Sequence, residues 1–122
     1  MDIFEAIKKR DQAFFKNQAH RGVLNLQDKN GMTPLMTAVD EKNIEIVKLL
    51  VAEKADLNLS DKFGQTALML AAGRNFLGAV KALVHAHAEL KLVSMSGLTA
   101  YGYAKDNGHA EAAKIILKAG GK

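Results

Sequence analysis

Apolar residues in this chain fall into short clusters at helical spacing, and the clusters come in pairs. Ile44, Ile46, Val47, Leu49 and Leu50 form one face of a helix. The same face returns as Leu77, Val80, Leu83 and Val84, and again as Ala112, Ile115, Ile116 and Leu117. Ahead of each lies a shorter cluster: Leu35 and Ala38, then Leu68, Ala71 and Ala72, then Tyr101 and Ala104. Each pair predicts a short inner helix, rich in small residues that let neighbours approach, followed by a longer outer helix. A polar segment introduces every pair. Asp28-Lys29-Asn30-Gly31-Met32-Thr33-Pro34-Leu35 is followed one interval later by Asp61-Lys62-Phe63-Gly64-Gln65-Thr66-Ala67-Leu68. A worn copy, Ser94-Met95-Ser96-Gly97-Leu98-Thr99-Ala100-Tyr101, comes next. Gly31, Gly64 and Gly97 are spaced by 33 residues, as are Thr33, Thr66 and Thr99. A fixed period of this size marks a stacked repeat protein.

The residue types give each segment its conformation. Asp and Gly make a tight turn, with Gly supplying backbone angles that other residues resist. Thr33, Thr66 and Thr99 are placed to cap the inner helices, and Pro34 takes the first helical position, where its missing N–H is harmless. Met36 and Met69 fall on the inner helices as core filler. Ala55-Asp56-Leu57-Asn58 ends an outer helix and leads into the next turn. Residues 2–21 read as a partial first repeat: Ile3, Ala6 and Ile7 form one helical face, and Lys8-Lys9-Arg10-Asp11 forms a polar break. Asp2 is a candidate N-cap, and Phe14 and Phe15 are expected to seal the end of the core. One residue is missing near Gln18-Ala19 relative to later repeats, as expected of a terminal unit.

The pattern Asp-x-x-Gly-x-Thr-Pro/Ala-Leu, then Ala38, Val47-Lys48-Leu49-Leu50 and Ala55-Asp56-Leu57-Asn58, resembles the ankyrin repeat. The third repeat carries the same marks in Ala71-Ala72, Val80-Lys81-Ala82-Leu83-Val84 and Ala88-Glu89-Leu90. The resemblance implies an all-α repeat solenoid of helix-turn-helix units joined by short β-hairpin loops. It divides the chain into an N-terminal capping repeat (1–27), two full repeats (28–60 and 61–93) and a C-terminal capping repeat (94–122). It also implies a small, non-catalytic interaction domain. The chain departs from the family where Met36, Met69 and Gly102 stand in place of the usual histidine, so that family hydrogen-bond network is not expected. Gly102 should cost its short helix about 1 kcal/mol against alanine.

Composition narrows the function classes. The 122 residues, 48% hydrophobic and 25% charged, suit one ordinary globular domain. With no cysteine, disulfides and thiolate chemistry are excluded. No apolar run is long enough to span a membrane, and the first twenty residues carry too much charge for a signal peptide. The cytoplasm is the default compartment, and the periplasm is compatible if a leader has been removed. The net charge of +4 and pI near 9.4 leave a nucleic-acid-binding role as a lesser alternative, because the cations are dispersed. His85 and His87, two apart, diverge on a helix, and His20 and His109 lie in other repeats, so no metal set converges. Ser60, Ser94 and Ser96 sit in turns without a positioned base, and the glycines are periodic, unlike a phosphate loop. Neither a cofactor nor catalysis is expected.

What remains is binding. The ankyrin resemblance places the hairpin tips, and the residues that follow each inner helix, on a concave binding surface. Carried over position by position, the candidates are Lys29, Asn30 and Met32 on the first finger, Lys62, Phe63 and Gln65 on the second, and Met95 and Leu98 on the third. Asp40, Glu41, Arg74 and Asp106 join them at the inner-helix ends. Lys8, Lys9, Gln27, Ser60, Val93, Ser96 and Asn107 complete the surface. Met32, Phe63, Met95 and Leu98 stand out, being large apolar groups at positions a turn does not require; the plainer alternative is that Phe63 packs on its neighbouring finger. The expectation is a monomer that binds a folded protein as an inhibitor, immunity factor or regulatory protein. An adaptor belonging to a larger protein is the alternative.

Overall fold

A computed structural model describes residues 2–11, 13–14 and 21–122. Phe15, His20 and the shortened stretch at Gln18-Ala19 lie outside the described residues. The helices are α1 (Ile3–Lys8), α2 (Arg21–Leu24), α3 (Pro34–Asp40), α4 (Ile44–Ala52), α5 (Ala67–Gly73), α6 (Leu77–His85), α7 (Ala100–Asp106) and α8 (Ala110–Lys118). Within a repeat the inner helix packs on its outer partner, giving the pairs α3/α4, α5/α6 and α7/α8. Between repeats, inner helices stack as α1/α3/α5/α7 and outer helices as α4/α6/α8. This is the all-α repeat solenoid that the resemblance implied.

The helix starts follow from local chemistry. Asp2 accepts from the Glu5 amide, and Thr33, Thr66 and Thr99 accept from the amides of Met36, Met69 and Gly102. Each such bond satisfies a donor the helix itself leaves open. Met69 answers Thr66 from the other side, its Sδ accepting from the Thr66 amide at 3.4 Å. Helices α4, α6 and α8 are three residues apart from the preceding inner helix, each gap containing one left-handed residue: Lys42, Asn75 and Gly108.

The core is one continuous cluster. Ile3, Ile7, Leu35, Ile46, Leu50, Leu68, Leu83 and Ile116 are fully buried, and Ala38, Ala71, Ala72 and Ala104 keep the inner helices close. Met36 and Met69 are buried, as expected of core filler. Phe14 packs against the first-repeat end of the cluster.

Among the described residues no β-strand forms, and the hairpin loops are tight turns. Asp28, Asp61 and Ser94 each donate their amide to the carbonyl four residues on and accept at the carbonyl from Gly31, Gly64 and Gly97. With only this much pairing per turn, extended ladders cannot start. Leu117 departs from its outer-helix counterparts: it is 46% exposed, since among the described residues no helix covers that side of α8.

Candidate functional site

The fingers stack through their backbones. The Lys62 amide donates to the Asn30 carbonyl at 2.9 Å, and the Met95 amide donates to the Phe63 carbonyl at 3.0 Å. Each aspartate builds its own tip. Asp28 Oδ1 accepts from the amides of Asn30 and Met32, and Asp61 Oδ1 from those of Phe63 and Gln65, all at 2.9 Å. Gln27 ties two fingers together by donating to the carbonyls of both Gly31 and Ser60.

The third finger lacks the aspartate and uses hydroxyls. Tyr103 donates to Ser94 Oγ at 2.8 Å, Ser94 and Ser96 share a 2.9 Å bond, and Gln65 Nε2 donates to the Tyr103 oxygen at 3.2 Å. Burial and the Asp61 charge push the Tyr103 phenol up. Its bonds with Ser94, Ser96 and Gln65 act the other way and hold it below its ordinary value of 10.0. The cluster couples the second finger to the third through an inner-helix side chain.

Every sequence-derived candidate lies on the finger and inner-helix side, but in two states. Lys29, Lys62, Phe63 and Met95 are exposed, with Phe63 at 54% and Met95 at 79%. Because Met95 bonds to the Phe63 carbonyl, the two apolar groups stand on adjacent, hydrogen-bonded tips. The Lys62 ammonium sits 5.2 Å from the Phe63 ring and 3.1 Å from Asn30 Oδ1. Val93, just before the third finger, is exposed as well. Met32 and Leu98 differ. Met32 is half-buried against the core, and Leu98 is half-buried with its side chain lying over Gly102. Their bulk is used by the fold.

At the inner-helix ends Arg74 pairs with Asp40, and the Glu41 carbonyl accepts from Arg10 Nη2 at 3.0 Å. An exposed pair like Arg74–Asp40 adds about 0–1 kcal/mol, so a partner can rearrange it at small cost. Asp106 is exposed at the end of α7, next to Asn107, which caps the helix. Between α5 and α7 runs a groove of about 190 Å³, lined by Gln65, Met69, Leu70, Gly73, Arg74, Tyr103 and Asn107.

Some structural roles were missed in the sequence. Asn25 and Asn58 use Oδ1 to accept from the amides of Asp56 and Glu89 in the following repeat, at 2.7 and 2.8 Å. Their 33-residue spacing was the available signal. His109 bonds to the Gly73 carbonyl at 3.1 Å across repeats. Among the described residues no group of three or more His, Asp or Glu side chains could hold a metal, and no helix is long and apolar enough to cross a membrane.

Comparison with known families agrees with this geometry. The family model described as ankyrin repeats (3 copies) matches residues 3–93 and again 42–122. No curated protein matches the chain significantly. Ankyrin repeats are in general non-catalytic modules for protein–protein interaction, and this chain, matched along nearly its whole length, belongs to the ankyrin-repeat family.

Proposed function

We propose that this chain binds a folded protein through its finger and inner-helix face, and that it inhibits or regulates that protein by covering part of its surface. One observation carries the reading. Phe63 and Met95 are exposed on adjacent tips whose conformation is already set by Asp61, Ser94 and the turn glycines. Their side chains do little for the fold and are free to do something for a partner. Around them stand Lys29, Asn30 and Lys62, with Gln65, Arg74, Asp40, Glu41 and Asp106 further along the inner helices. An apolar centre with a mixed polar rim is the usual composition of a protein interface. Because backbone bonds join the tips, little ordering is needed on binding, and such preorganisation favours affinity.

The test is functional. A protein captured by the chain is assayed for its own activity while the chain is added. Stoichiometric loss of that activity, abolished by Phe63→Ala, is the expected result. Unchanged activity at saturating binding would refute the inhibitory reading and leave an adaptor role. A steep linear fall of affinity with log salt, accompanied by bound nucleic acid, would refute protein recognition altogether.

A further inference from the structure

The last repeat of the described chain carries a second surface, separate from the fingers. A groove of about 390 Å³ opens on the outward side of α7 and α8, lined chiefly by Tyr101, Lys105, His109, Ala113, Lys114 and Leu117. The period gives its meaning. One repeat earlier the matching positions are Leu68, Ala72, Phe76, Val80, Lys81 and Val84. There Leu68, Ala72 and Val80 are fully buried, with Phe76 and Val84 packed against the core, because α7 and α8 cover them. The last repeat therefore repeats a helix-receiving surface that no helix of the described chain fills. It is only partly adapted to water: Lys105 and His109 replace Ala72 and Phe76, while Tyr101, Ala113 and Leu117 remain apolar.

We infer that this end groove docks an amphipathic helix of a partner protein, with an apolar stripe flanked by carboxylates. The shape argument is the register itself, since the equivalent surface one repeat earlier accepts helices. The charge argument selects the flanks. Lys105 and Lys114 border the apolar floor, with the Lys105 ammonium 5.8 Å from the Tyr101 ring, and no carboxylate lines the groove. The carboxylates on these helices, Asp106 and Glu111, lie outside it. Charge also argues against a second copy as occupant. Two end faces meeting would bring four lysines together, and a head-to-tail contact would approach the exposed run Lys8-Lys9-Arg10 in a chain of net charge +4. Desolvated like charges oppose such contacts, whereas opposite charges favour them.

The experiment uses two synthetic helix-stabilised peptides of equal length. Both carry leucine and alanine at i, i+3, i+4 and i+7; one has glutamates beside the stripe and the other has lysines. Binding to the full chain is followed by fluorescence anisotropy, and the site is mapped by backbone amide NMR shifts. The expected result is that the glutamate peptide binds at least about tenfold more tightly at low salt, with shifts centred on α7 and α8. Lys105→Glu combined with Lys114→Glu should reverse the preference, and Leu117→Asp should weaken both peptides. All three positions are on the surface, and urea melts confirm that the variants fold. Equal binding of the two peptides, no binding, or shifts centred on the fingers overturns the inference. So does a dimer in sedimentation equilibrium that Leu117→Asp dissolves, since a second copy would then be the occupant.

Discussion

Gly31, Gly64 and Gly97 share one backbone conformation, with φ of +78°, +75° and +80°, but they meet different neighbours. Replacing each by alanine therefore separates two costs that usually arrive together. The first is conformational: an L-residue held in the left-handed region costs about 1–2 kcal/mol, equal at all three sites. The second is contact with the next finger. A Cβ on Gly31 would stand 2.9 Å from the Lys62 nitrogen and 3.0 Å from the Asp61 carbonyl carbon, both backbone atoms. The second finger must move, and the bond from the Lys62 amide to the Asn30 carbonyl goes with it, a loss of about 0.5–1.5 kcal/mol. On Gly64 the nearest atom is the Met95 nitrogen at 3.1 Å, a milder overlap; on Gly97 nothing lies within 4 Å. The expected destabilisation is thus about 1–2 kcal/mol for Gly97→Ala and about 2–3 kcal/mol for Gly31→Ala, with Gly64→Ala between them. Urea unfolding monitored by circular dichroism gives the three values directly, provided the slope m stays constant. Equal losses at Gly31 and Gly97 would refute the claim that backbone contact between fingers contributes to stability.

Three further outcomes are expected. Gly102→Ala should gain about 1 kcal/mol of helix propensity when Leu98 is also alanine, and less in the parent, where the Leu98 Cδ2 would stand 3.2 Å from the new Cβ; urea melts of the four proteins in the cycle measure the coupling, and additive effects would contradict it. Lys42→Gly and Lys54→Gly, at φ of +53° and +66°, should each stabilise by about 0.5–1 kcal/mol, since glycine enters the left-handed region without strain; thermal melts that fall would contradict this. Tyr103→Phe should cost about 1 kcal/mol near neutral pH through the lost hydroxyl bonds. Because the folded Tyr103 pKa lies below its unfolded value, ionisation adds stability above pH about 10 that is lost as pH falls through the folded pKa, so the gap between parent and variant should widen in alkali. A gap that stays constant or narrows would contradict that assignment.

The repeat was legible because its marks recur in register, and each has a local cause. Thr33, Thr66 and Thr99 cap as expected, Pro34 opens its helix, and the glycines take positive φ. Features that depend on the neighbouring repeat were harder to see. Asn25 and Asn58 bond forward into the next repeat, and nothing in their own segment shows that. Lys42 and Lys54 occupy left-handed positions that only the equivalents Asn75, Gly108 and Gly120 hint at. Leu98 and Met32 looked like spare apolar groups at the tips, because a motif records position and not the direction a side chain takes. Leu98 turns back over Gly102, where the missing Cβ leaves room for it. Phe63 and Met95 have no such recess and remain in solvent. The hairpin loops stay too short to form strands among the described residues for a local reason: each turn closes on itself after four residues and leaves no extended backbone to pair.

The central claim, recognition of a protein through the finger face, is tested most directly by comparative capture. Parent, Phe63→Ala and Lys48→Ala chains are immobilised side by side, exposed to native-host extract, and compared by quantitative mass spectrometry. Phe63 is exposed on the second finger, and Lys48 is exposed on the outer helix α4, so both variants should fold like the parent. A buried aromatic anchor in an interface is worth about 2 kcal/mol or more, roughly a thirtyfold change in affinity. The account predicts a protein enriched equally by the parent and Lys48→Ala and depleted on Phe63→Ala. Equal enrichment on all three, or depletion on Lys48→Ala alone, would contradict it and move the interface off the fingers.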